Sequence, residues 1–88
     1  MGRTSREKPK RLSEKLAAIR ANLGLSQTEM LRELGLDGKV FRSAVSGYEL
    51  GTREPSLIIL LKYARLAGVS TDVLIDDAAK LPDQHRHK

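Results

Sequence analysis

The sequence predicts an all-α domain of five short helices, and three observations predict it. Apolar residues recur at alternating spacings of three and four along most of the 88 residues, which is the period of a helix face. The apolar share of 40% is drawn from Leu, Ile, Val, Ala and Met, with one Phe and two Tyr, whereas a sandwich calls for more β-branched and aromatic side chains. Helix-stopping glycines and helix-starting serines punctuate the periodic stretches at short intervals. A chain of this length fits one compact domain. The expected organisation is a basic arm over residues 1–10, a folded domain over 11–77 and a polar tail over 78–88.

The arm, with Arg3, Arg6, Lys8, Pro9 and Lys10, has no apolar periodicity and reads as a flexible lead-in. Residues 1–20 carry seven Lys/Arg against two Glu, so the net charge of +5 is concentrated in the first quarter. A polyanionic partner and a solubilising tail both account for such a run. From Arg11 onward, Leu12, Leu16, Ile19 and Leu23 form one stripe of a first helix that Gly24 ends as a left-handed cap. Ser26-Gln27-Thr28-Glu29 is a capping box, and Leu25 is placed to staple onto Met30 as the second helix begins. Leu31 and Leu34 continue that helix's apolar face, and Gly35 ends it.

Leu36-Asp37-Gly38-Lys39 is a turn by composition. The third helix follows, with Phe41, Val45 and Tyr48 on one face and Arg42, Ser43, Ser46 and Gly47 on the other, and stops at Gly51. Its small polar residues suit a surface that approaches something closely. Pro55-Ser56 opens a fourth helix with Ser56 as N-cap and a predicted buried stripe of Leu57, Leu60, Leu61, Ala64 and Ala67 before Gly68. Ser70 or Thr71 caps a short fifth helix through Val73, Leu74 and Ile75, after which the chain reads as a frayed end from Ala78.

Several function classes are excluded at this level. With no Cys there is no disulfide framework, thiolate metal site or cysteine nucleophile, which accords with a cytoplasmic home. The longest apolar run, Leu57 to Leu61, is too short to cross a bilayer, and the charged N-terminus is unlike a signal peptide, so no membrane partner is expected. His85 and His87 are the only histidines and lie in the polar tail, so neither an enzyme, a metal site nor a cofactor is expected.

Five short helices with a tight connection from the second to the third suggest a helix-turn-helix arrangement, and here the residues themselves resemble a known family. Leu25-Ser26-Gln27-Thr28-Glu29-Met30, then Val45-Ser46-Gly47-Tyr48-Glu49 with Gly51, Arg53 and Pro55, are similar to the Cro/phage-repressor type of helix-turn-helix regulator, also called the xenobiotic-response-element family. The likeness continues through Ser56-Leu57, Leu60-Leu61, Ala64, Gly68-Val69-Ser70 and Leu74.

The resemblance implies a DNA-binding transcriptional regulator, a repressor by type, whose third helix lies in the major groove while the second crosses the backbone. It places Arg42, Ser43 and Gly47 where base edges are read, with Ser46 on the same face. Arg42 is the best single candidate because a guanidinium bonds both O6 and N7 of guanine. Gln27 and Arg53 fall to phosphates, and so does Lys39 if the turn at residues 36–39 loops toward DNA. Arg20 and Glu49 match a partly buried ion pair that ties the first helix to the third. A homodimer is implied as well; its interface is read from the surplus apolar surface of Ile58, Ile59 and Leu66 on the fourth helix, near Val73, which either pairs across a two-fold axis or is buried in the monomer.

Two departures from the family pattern stand out. The turn is about four residues longer than usual, so that either Asp37 caps an extended third helix or residues 36–39 loop toward DNA. Gly47 occupies a position often filled by a long polar side chain, so direct readout is sparse, and more specificity falls to Arg42, the inserted turn and DNA shape. The alternative role for such a domain is as an antitoxin or an adaptor whose main partner is another protein.

Overall fold

In a computed structural model, which describes residues 8–36 and 42–82, the chain forms α1 (Leu12–Leu23), α2 (Gln27–Glu33), α3 (Ala44–Leu50), α4 (Leu57–Ala67) and α5 (Thr71–Ile75). Among the described residues there is no strand. Each helix sends at least one large, fully buried side chain to a common centre: Leu16, Met30, Val45, Tyr63 and Leu74, joined by Leu34 from the end of α2. Around them α1 packs against α3, α4 and α5, and α2 packs against α3. The rings of Tyr48 and Tyr63 meet edge to face, with centroids 6.3 Å apart and planes at 74°, an arrangement favoured by the ring quadrupoles.

Helix ends follow the local chemistry. Gly24, at φ 72°, closes α1 in the left-handed conformation and directs its N–H to the Ala21 carbonyl. At α2 both halves of the capping box form: the Glu29 N–H donates to Ser26 Oγ at 3.0 Å, and the Ser26 N–H donates to Glu29 Oε1 at 2.8 Å. These bonds hold the Glu29 carboxyl below its usual range. Ser56 likewise accepts from the Ile59 N–H at 3.2 Å to start α4.

The buried face of α4 differs from the expected stripe. Ile59, Leu60, Tyr63 and Ala64 point inward, while Leu57 is 82% exposed. Leu60 and Ala64 belong to either stripe, so the choice falls to their flanks, and the helix turns the Tyr63 flank inward, where its ring meets Tyr48. Ile59 goes with it and is only 7% exposed, which corrects its assignment to a dimer interface. Leu66 is half-buried against the core, so it too is unavailable as a free patch. Leu23 projects outward at the end of α1.

Two further contacts close the domain. Lys15 lies on the buried stripe of α1, and its Nζ donates to the carbonyls of Val73 at 2.8 Å and Asp76 at 3.0 Å. Buried charge is tolerated only with such partners. Asp77 accepts from the backbone N–H groups of Lys10 and Arg11 at 2.9–3.0 Å, and Leu81 packs on the core. The chain is therefore still packed at Leu81, where the sequence reads as a frayed end.

Candidate nucleic-acid interface

α3 begins at Ala44, later than its sequence pattern indicates. Arg42 and Ser43 occupy the turn immediately ahead of it, and both are exposed. Lys39 and Phe41 lie outside the described residues. With about 100° between successive residues of a helix, the inward direction of α3 is fixed by the buried Ala44, Val45 and Tyr48. Ser46 and Leu50 project the opposite way, and Ser43 extends that line one turn toward the N-terminus. Gly47 and Glu49 sit on the two flanks of this outward face.

The Glu49 flank is locked by charge. Arg20 Nε and Nη2 donate to the two Glu49 carboxylate oxygens at 2.6 and 3.0 Å, and Arg20 Nη1 donates to the Leu25 carbonyl at 2.8 Å. Gln27 Nε2 donates to Glu49 Oε1 at 3.1 Å, so α1, the start of α2 and the end of α3 meet at one carboxylate. The side chains of Arg20 and Glu49 retain 23% and 9% exposure, so the two form the partly buried pair that the family resemblance implied. Burial alone would push the Glu49 carboxyl up, but the bonds from Arg20 and Gln27 and the Arg20 charge outweigh it and hold it below its usual value. The Arg20 guanidinium is correspondingly raised, chiefly by its bond to Glu49.

The Gly47 flank is locked by packing. Gly51, at φ 80°, reverses the chain after α3, and the N–H groups of Thr52 and Arg53 both donate to the Gly47 carbonyl, at 3.0 and 3.2 Å. This lays the Arg53 stem over Gly47, where a Cβ would stand 2.9 Å from Cδ, 3.0 Å from Cγ and 3.2 Å from Cβ of Arg53. Gly47 is buried as a result. The expectation that position 47 itself meets base edges is thereby corrected, because Arg53, which is exposed, covers it.

Of the residues picked from sequence, Ser43, Ser46, Gln27, Arg53 and the Arg20–Glu49 pair gather around α3, with Arg42 leading into it. Ile58 is exposed on the groove wall beside Tyr48 and Arg53, while Val73 is half-buried on α5. Sequence reasoning missed Leu50, which is 73% exposed on the outward face, although its spacing of four from Ser46 and seven from Ser43 was readable. It also missed Lys62, whose Nζ donates to the Leu34 carbonyl at 3.1 Å and so anchors the end of α2 to α4. Among the described residues no group of three or more His, Cys, Asp or Glu is placed to hold a metal ion, and no helix is long and apolar enough to cross a membrane.

Comparison with known proteins adds three findings. The family model described as Helix-turn-helix matches residues 16–74. Over 62 residues the chain is 39% identical to the SPbeta prophage-derived uncharacterized HTH-type transcriptional regulator YonR of Bacillus subtilis (strain 168), covering 70% of this chain and 54% of that protein. The chain thus spans about half the length of the curated relative it matches. Among solved structures, the hypothetical transcription factor NHTF from Neisseria is similar with a TM-score of 0.61 and 29% identity, over 83% of this chain and 86% of that one.

Proposed function

Because this chain belongs to the helix-turn-helix family, of Cro/phage-repressor type, we propose that it is a sequence-specific double-stranded DNA-binding regulator, a repressor, that reads the major groove with α3. The observation that carries the reading is the outward face of α3. Ser43, Ser46 and Leu50 are presented in a row, and both flanks of the helix are clamped so that the row keeps one orientation. Arg42, exposed just before α3, supplies the guanidinium for a guanine edge. Gln27 and Lys39 take phosphates, which position the protein without reading sequence. The protein acts in the cytoplasm on the nucleoid.

A single short reading helix covers one half-site, so a homodimer completes the reading by placing two such helices about 34 Å apart. The surface that supports pairing is the groove bordered by Leu57, Pro9 and Ile75, where Leu57 and Ile75 are exposed apolar side chains. Ile58 and Val73 lie on the same two helices. The test is selection of duplexes from a random pool, followed by Arg42→Ala on the selected site. A loss of about 1–3 kcal/mol with relaxed discrimination at one base pair is expected. Equal affinity and unchanged preference overturn the assignment of Arg42.

A further inference from the structure

We propose that Arg53 is a specificity-determining residue, delivering to a base edge, from its seat on Gly47, the long cationic side chain that the outward face of α3 lacks. The inference rests on the DNA-binding reading above and sharpens it. The residues that α3 itself presents are poor at direct readout: Ser43 and Ser46 carry short hydroxyls, Leu50 carries no polar atom and Gly47 carries nothing. A helix made of such residues leaves most of the hydrogen-bonding pattern of a base pair unread.

The structure fills that gap from outside the helix. Both backbone N–H groups that follow Gly51 return to the Gly47 carbonyl, so the chain is folded back onto α3 and not merely near it. Three successive carbons of the Arg53 stem then lie within 3.2 Å of where a Gly47 side chain would begin. Any Cβ at position 47 displaces that stem, so the bare backbone at 47 and the placement of Arg53 are one feature. Glycine is a poor helix former, and at this position it has an ordinary helical φ, so the space it leaves, and not its conformational freedom, is what the fold uses. A stem held along its length against a helix gives up less freedom when it meets a ligand than a solvated arginine does. Arg53 is exposed as a residue, and its guanidinium carries the fork of donors that matches O6 and N7 of guanine. The same fork also fits a phosphate, so loss of discrimination at one base pair, and not loss of affinity alone, is what marks a base contact.

The experiment is duplex selection from a random pool with the full chain as wild type, Arg53→Ala, Gly47→Ala and the double variant, each checked by thermal melting. The wild type is expected to select a guanine at a position that both single variants relax. Affinity for the wild-type site falls about 5- to 150-fold in each, and the double variant is no weaker than Arg53→Ala. Gly47→Ala keeps the arginine charge and improves helix propensity, so it tests the seat even if Arg53→Ala folds poorly. If Arg53→Ala weakens all sequences evenly and lowers the salt slope by about one unit, Arg53 is a phosphate contact and the proposal is wrong. It is equally wrong if Gly47→Ala leaves the preference intact. A wild type that selects no sequence removes the DNA-binding reading itself, and the proposal with it.

Discussion

Glu49 concentrates much of what one residue does for this fold. It receives three side-chain hydrogen bonds, two from Arg20 and one from Gln27, and its carboxyl is held below the ordinary value of 4.5. Because folding favours the ionised form, the contribution is complete above about pH 4.5 and is lost as pH falls through the lower folded value. Asp77, which binds the Lys10 and Arg11 N–H groups, is shifted the same way from 3.8. Glu49→Gln is expected to cost about 2–3 kcal/mol at pH 7, less than the loss of a fully buried partner, because Arg20 keeps some solvent. Urea unfolding at pH 7 and pH 3 checks this: the gap between variant and wild type narrows in acid, and a gap independent of pH excludes the ion pair as its source. The pairing of residues 20 and 49 was legible only through family resemblance. Lys15 was not singled out in the sequence at all, because its carbonyl partners, Val73 in α5 and Asp76 just after it, lie 58 and 61 residues away and no local rule finds them.

At the scale of elements, what is local was legible and what depends on neighbours was not. The capping box at Ser26 and the Ser56 cap involve groups three residues apart, and Gly24, Gly51 and Gly68 end their helices through their own backbone. The rotation of α4 is different, since Leu57 and Ile59 are equally apolar and only the tertiary position of Tyr63 ranks them. The covering of Gly47 by Arg53 needs the chain reversal at Gly51, which a reading by helical period alone does not contain. The arm is the element with the most direct test. Deleting residues 1–8 removes Arg3, Arg6 and Lys8 but keeps Lys10, whose N–H is held by Asp77. If the arm lies on DNA, the slope of log affinity against log salt shrinks by about 2–3 units. An unchanged slope assigns the arm to solubility.

For the whole molecule, the expected assembly is a two-fold dimer on DNA, and the structure distinguishes two kinds of apolar residue on α4. Leu57 faces solvent and is available for pairing, an exposed patch that water disfavours. Ile59 faces the core, so Ile59→Glu places a charge there and lowers the melting temperature without reporting on association. Sedimentation at high micromolar concentration, and on DNA carrying two half-sites, separates them. A Leu57→Glu, Ile75→Glu variant stays folded but loses dimerisation and cooperative occupancy. Equal stoichiometry and cooperativity for variant and wild type place the dimer elsewhere.

The grip of Asp77 on Lys10 and Arg11 also gives the domain the topology of a nearly closed ring. Points 67 residues apart along the chain touch through direct hydrogen bonds, so a covalent bridge across that gap spans almost no distance in the native state. In the unfolded state the same bridge closes a long loop, whose lost chain entropy amounts to about 4 kcal/mol in the simplest polymer treatment. A bridge placed between positions 10 and 77 would draw nearly all its added stability from the denatured ensemble and leave the reading face unaltered.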